Sequence, residues 1–194
     1  MILLLTFATI GIVVYAFLNE GLLTAIAMCV NVMLAGLVAF SFHEPMADEL
    51  EKFLAGSVLE HCEDALCLVL LFCGTIGLLR LATNNLAHTE MELPALFQQI
   101  ASAVVASVGG YLLAGFLVCV LSTLPIGERF FGYEGPWNAD EPAQRKILPP
   151  DRVWLALMHR AGLGPFSTGE GTFDPEGTWP LRHARRRAKA ESGT

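Results

Sequence analysis

The residues best suited to chemistry in this chain lie in two short clusters, His43-Glu44 and His61-Cys62-Glu63-Asp64. Imidazole, thiolate and carboxylate are the usual ligands of zinc. Ligation from one helix needs donors that return to the same face, as in His-Glu-x-x-His, or else a paired Cys-x-x-Cys. Neither cluster has that spacing. A Gly-x-Ser-x-Gly elbow, a phosphate loop and a dinucleotide glycine fingerprint are also missing from the sequence. The expectation is therefore a protein that is not an enzyme and takes no metal and no cofactor, the two clusters being polar residues at helix ends. Metal analysis of the purified protein should return a substoichiometric content. A stoichiometric zinc that disappears when His61 and Cys62 are changed to Ala would overturn this and revive an enzymatic reading.

A second set of polar residues sits inside apolar runs: Asn31, Thr75, Arg80, Ser102 and Ser107. Asn31 would be costly against lipid, so it is expected to face other helices or a wet cavity, as a packing hydrogen bond rather than a substrate contact. Arg80 lies near the end of its run, from where a long side chain reaches the headgroups. Ser102, Ala106, Gly110 and Ala114 recur every fourth residue and so form one narrow stripe of small side chains on a helix, with Ala103, Ser107 and Gly109 beside it. Such a stripe lets another backbone come close, which is a main source of helix association in lipid.

The elements that must carry these residues are set by composition. Of 194 residues, 54% are hydrophobic and 16% charged, against about 25% charged in an ordinary soluble domain. The balance predicts an all-α, polytopic membrane protein. Four spans are expected, at about 2–18, 21–42, 65–82 and 100–124, each an uncharged or nearly uncharged run; spanning takes about 20 apolar residues. The first begins directly after Met1, but it has no Lys or Arg before its apolar core and no A-x-A type cleavage site, so it reads as a span rather than a signal peptide. Asn19-Glu20-Gly21 makes the first two a tight hairpin. Between the second and third spans, Met46, Leu50, Phe53, Leu54 and Val58 collect on one helical face, predicting an interfacial helix at about 46–60.

Residues 126–194 form a polar tail rich in Gly and Pro, with a short amphipathic helix at about 151–161 whose apolar face is Val153, Trp154, Leu157 and Met158. Phe130, Phe131, Tyr133, Trp137 and Trp154 are aromatics of the headgroup type, which would lay the tail on the membrane surface. The basic end, Arg182 to Lys189, is either an anionic-lipid contact or a solvated terminus. Four of the five cysteines fall in apolar runs, and no disulfide framework is implied. A net charge of −7 speaks against nucleic acid as a partner. Ten of the twelve Lys and Arg follow Pro125, which places both termini in the cytoplasm.

The hairpin NEGLLTAIAMCVNVMLAGLVAFSFHEPMADEL and the fourth run IASAVVASVGGYLLAGFLVCVL resemble the colicin V production protein (CvpA) family of small bacterial inner-membrane proteins. The likeness covers residues 1–125: a helix, a short polar turn ending in Gly, a second helix with a polar exit, and a fourth helix with small residues at four-residue spacing. Ser102 and Ala106 stand where Gly is usual in that family, and Gly110 keeps it. The resemblance implies a multi-pass protein of the cell inner membrane, linked to toxin (colicin V) production or export and to envelope maintenance, with no reaction to transfer. The expected partners are the lipid bilayer and either further copies of the chain or other membrane proteins. The alternative is a small oligomeric transporter or channel component, for which the embedded polar residues are a thin supply.

Overall fold

A chain inside hydrocarbon must satisfy its backbone N–H and C=O groups internally, so uncharged apolar runs become helices. A computed structural model describes residues 2–18, 20–54, 62–86, 94–124, 149–163 and 179. Among them all regular structure is helical: α1 (Ile2–Phe17), α2 (Leu22–Leu54), α3 (Glu63–Leu86), α4 (Ala95–Thr123) and α5 (Pro150–Leu163). Three helices are long and apolar enough to cross a membrane, through Leu22–Leu50, Glu63–Thr83 and Leu96–Thr123. α1 is a shorter apolar helix of 16 residues, about 24 Å at 1.5 Å per residue.

α2 lies between α3 and α4, and α1 packs along α4. α1 and α4 run antiparallel, since Gly110 faces Ile10 while Gly21, just past the end of α1, faces Gln98 at the start of α4. The turn between α1 and α2 depends on Gly21: its φ is +92°, and a Cβ there would lie 2.8 Å from Gln98 Nε2. The two threonine hydroxyls of α1 bond within their own helix. Thr6 donates to the Ile2 carbonyl at 2.9 Å and Thr9 to the Leu5 carbonyl at 2.8 Å, which keeps both polar groups satisfied on an otherwise apolar helix.

α2 differs from the sequence expectation. It continues through Pro45 as one helix of 33 residues, where a span at 21–42 and a separate interfacial helix at 46–60 are expected. The proline removes one donor, the one that would meet the Ser41 carbonyl. One lost bond does not end a helix whose buried face is continuous, and Ala39, Phe40, His43 and Ala47 are all buried across the proline. The apolar residues at this point turn outward instead, Phe42 being 56% and Met46 41% exposed. α3 and α4 also begin before the apolar runs that they contain, because polar residues at a helix end continue the backbone ladder without entering hydrocarbon. Residues 55–60 of the expected interfacial helix, and 126–148, 164–178 and 180–194 of the tail with its aromatics Phe130, Phe131, Tyr133 and Trp137 and its basic end Arg182 to Lys189, lie outside the described residues.

The core is packed from α2, α3, α4 and α5 around aromatic rings. Phe72 of α3 stacks on Phe116 of α4 with centroids 4.0 Å apart, Phe40 of α2 meets Phe116 edge-on at 6.3 Å, and Phe116 meets Trp154 of α5 edge-on at 5.8 Å. Trp179 closes over Phe40 at 5.7 Å. A smaller cluster of Val13, Phe17, Ala25 and Ala106 joins α1 to α2 and α4.

Candidate functional site

Polar groups converge at the end of the bundle where α1 turns into α2 and α3 finishes. An open cavity of about 120 Å³ lies there, lined by Phe17 of α1, Thr24, Ala27, Met28 and Asn31 of α2, and Arg80 and Thr83 of α3. Asn31 is 4% exposed, and its Nδ2 donates to Thr83 Oγ1 at 3.3 Å. The Thr83 hydroxyl is within donating distance of two carbonyls of its own helix, Leu79 at 2.9 Å and Arg80 at 3.2 Å, so it is free to accept from Asn31. Thr24 donates in the same way to the Glu20 carbonyl at 3.0 Å.

Among the described residues, Arg80 is the charged member of the lining. Its Nη2 stands 3.7 Å from Glu20 Oε1, across from the hairpin turn, with both side chains about half exposed. That separation exceeds the 2.7–2.9 Å of a direct charge-assisted hydrogen bond, so the pair is a loose ionic contact with little holding power. The sequence marks Asn31 and Arg80 separately, as polar residues in apolar runs; the structure places them on one cavity. Thr24 and Thr83 carry no sequence signal of their own, because threonines are common in such helices and their part depends on the pairing of α2 with α3.

The small-residue stripe of α4 lies elsewhere, against α1 and α2. Ser102 and Ala114 are fully buried and Ala106 is 3% exposed. At Gly110 a Cβ would lie 2.9 Å from Ile10 Cα and 3.3 Å from Val13 Cβ, so the α1 backbone sits directly on this position. Gly109, next in the chain, is looser: a Cβ there would lie 3.8 Å from Cys29. Ser102 Oγ is buried with no hydrogen-bond partner among the described residues, whereas Ser107 Oγ donates to the Ala103 carbonyl at 2.7 Å. The opposite face carries Val104 and Val108, 60% and 51% exposed.

Among the described residues, the candidate ligands of the two clusters do not form a group that could hold a metal ion. His43 is 1% exposed inside the bundle, with Nδ1 3.0 Å from the Phe40 carbonyl, to which it donates in the tautomer protonated there. Glu44 is exposed. Cys62, Glu63 and Asp64 stand half-buried at the start of α3, and His61 lies outside the described residues.

The tail contributes a seat that the sequence does not announce. Trp154 and Met158 of α5 are buried against the bundle rather than placed at headgroup level. Gly36 of α2 and Gly115 of α4 make the space: a Cβ on Gly36 would overlap the Trp154 ring, and one on Gly115 would overlap the Pro150 carbonyl oxygen. The signal that could have found this is a pair of glycines inside long helices, together with a tryptophan on a short amphipathic one. Compared with family models, with curated proteins and with solved structures, the chain finds no match in any of the three.

Proposed function

We propose that the chain is an integral membrane accessory protein, a four-span bundle that acts by packing with other membrane components rather than by catalysis or transport. The observation that carries this reading is the outward surface. Leu3, Leu4, Phe7 and Ile12 on α1, Leu70, Leu78 and Leu81 on α3, and Leu96, Ile100 and Val104 on α4 are each 60% exposed or more. In water such an array would be an aggregation surface; in a bilayer it is the expected coat.

α1 is read as the fourth span because it lies antiparallel along α4 with its own large side chains turned outward. Its length falls about 6 Å short of a 30 Å hydrocarbon core, a mismatch that local thinning absorbs at modest cost. An even number of spans puts both termini on one side, and the ten Lys and Arg after Pro125 favour the cytoplasm. A reporter active only outside the cytoplasm, fused after Thr194, should be silent; activity there would overturn the orientation.

The accessory reading is preferred to a transporter because the cavity at Asn31 is backed by the filled core of Val32, Ala35, Phe72, Leu112 and Phe116. A role in toxin production or export and envelope maintenance, as in the CvpA family, is the cellular setting that the two resembling segments support. Purified protein in planar bilayers should give no conductance above that of protein-free membranes. A conductance that Arg80→Gln or Asn31→Leu alters would replace this reading with the transporter one.

A further inference from the structure

We infer that the cavity at Asn31 and Arg80 is a binding site for a phosphate group, supplied by a phospholipid headgroup or by free phosphate. The inference rests on the membrane reading for the lipid source alone. Arg80 offers a planar fork of N–H donors suited to a phosphate, and the loose Glu20 contact at 3.7 Å leaves that fork open to a better acceptor. Asn31 uses one of its amide N–H groups on Thr83, and the second remains for a ligand in the cavity that it lines. A buried amide in an apolar helix is costly, and one weak hydrogen bond of 3.3 Å is a small return for it.

Size and surroundings agree with this chemistry. The volume of about 120 Å³ is several times the ~10–15 Å³ that a single water needs and admits a tetrahedral oxyanion. Among the described lining residues Arg80 is the charged one, and the Glu20 carboxylate 3.7 Å from it is the group that a phosphate would have to displace. The cavity is open to the outside and also lined by the apolar side chains of Phe17, Ala27 and Met28, against which the glycerol end of a bound phospholipid would rest.

The test uses the full chain, stripped of lipid in detergent, with three probes: phosphatidylglycerol, diacylglycerol of the same chains, and sodium phosphate. Retention of the lipids is read by native mass spectrometry, and the effect of phosphate by the thermal midpoint. Phosphatidylglycerol should be held more tightly than diacylglycerol, and Arg80→Gln should cut its retention about tenfold, the factor expected for losing a charged hydrogen-bond donor. Arg80→Lys should restore part of it. Glu20→Gln, which removes the competing carboxylate and leaves the fold's interior untouched, should raise retention about threefold. A midpoint raised by sodium phosphate in wild type and not in Arg80→Gln, with no preference between the two lipids, would assign the source as free phosphate. Equal retention of both lipids with no phosphate effect would overturn the inference, and so would a Glu20→Gln protein that holds phosphatidylglycerol no better than wild type. Fractionation of the same wild-type cells keeps the membrane reading separate: a chain released without detergent defeats that reading, while the phosphate arm still reports on the cavity.

Discussion

Gly110→Leu should force α1 away from α4 and cost about 1–3 kcal/mol, the usual penalty of overpacking a filled contact. The cause is backbone against backbone. A Cβ at Gly110 already falls 2.9 Å from Ile10 Cα, and no rotamer change can move a Cα. Even Gly110→Ala should therefore lower the thermal midpoint in detergent, against the general helix preference for Ala over Gly of about 1 kcal/mol. Two controls bracket the effect. Gly109→Ala, with its new methyl 3.8 Å from Cys29, makes an ordinary contact and should be neutral or stabilising. Val108→Leu adds a methylene to a side chain 51% exposed on the far face, toward lipid as apolar as itself, and should be silent. If Gly110→Leu behaves as Val108→Leu does in both thermal midpoint and complex size, the stripe is not where α1 and α4 meet.

The three long apolar helices are legible because a bilayer imposes a simple demand, about 20 residues with almost no charge, and Leu22–Leu50, Glu63–Thr83 and Leu96–Thr123 each contain such a run. The exact extent of α2 is not, because a proline in sequence marks a lost donor but not whether packing on both sides holds the helix together. At Pro45 the deciding residues are Ala39, Phe40, His43 and Ala47, whose common burial exists only once α3 and the tail are in place. Asn31 and Arg80 stand out as polar residues in apolar runs, but their shared cavity depends on the register of α2 against α3, fixed by side-chain packing along the whole interface. Trp154 is the largest departure. Its type and its short amphipathic helix suit a headgroup position equally well, and the notch that receives it is built from two residues that have no side chain.

That notch makes the second strong expectation. Trp154→Ala should undock α5, because the indole and Met158 are the fully buried side chains by which the helix holds the bundle. Truncating a core Trp costs about 3–5 kcal/mol through lost contacts and the cavity left behind. A hydrogen bond offers no compensation, since Trp154 Nε1 has no partner among the described residues and the ring is held by shape. The readout is local: tryptic cleavage at Arg152 and Arg160 of α5 should accelerate at least about tenfold while the spans stay protected. Gly36→Ala and Gly115→Ala should each produce the same release, the first by meeting the Trp154 ring and the second by meeting the Pro150 carbonyl. The decisive comparison is between pairs. Once the ring is gone, the methyl of Gly36→Ala meets the Met158 sulfur at 3.5 Å, an ordinary contact, so the Gly36→Ala, Trp154→Ala double variant should be no worse than Trp154→Ala alone. Gly115→Ala still confronts a backbone carbonyl and should add to the loss. Additive behaviour in the first pair would mean that Gly36 destabilises through some route other than the seat of Trp154, and the docking of α5 would have to be sought on another face.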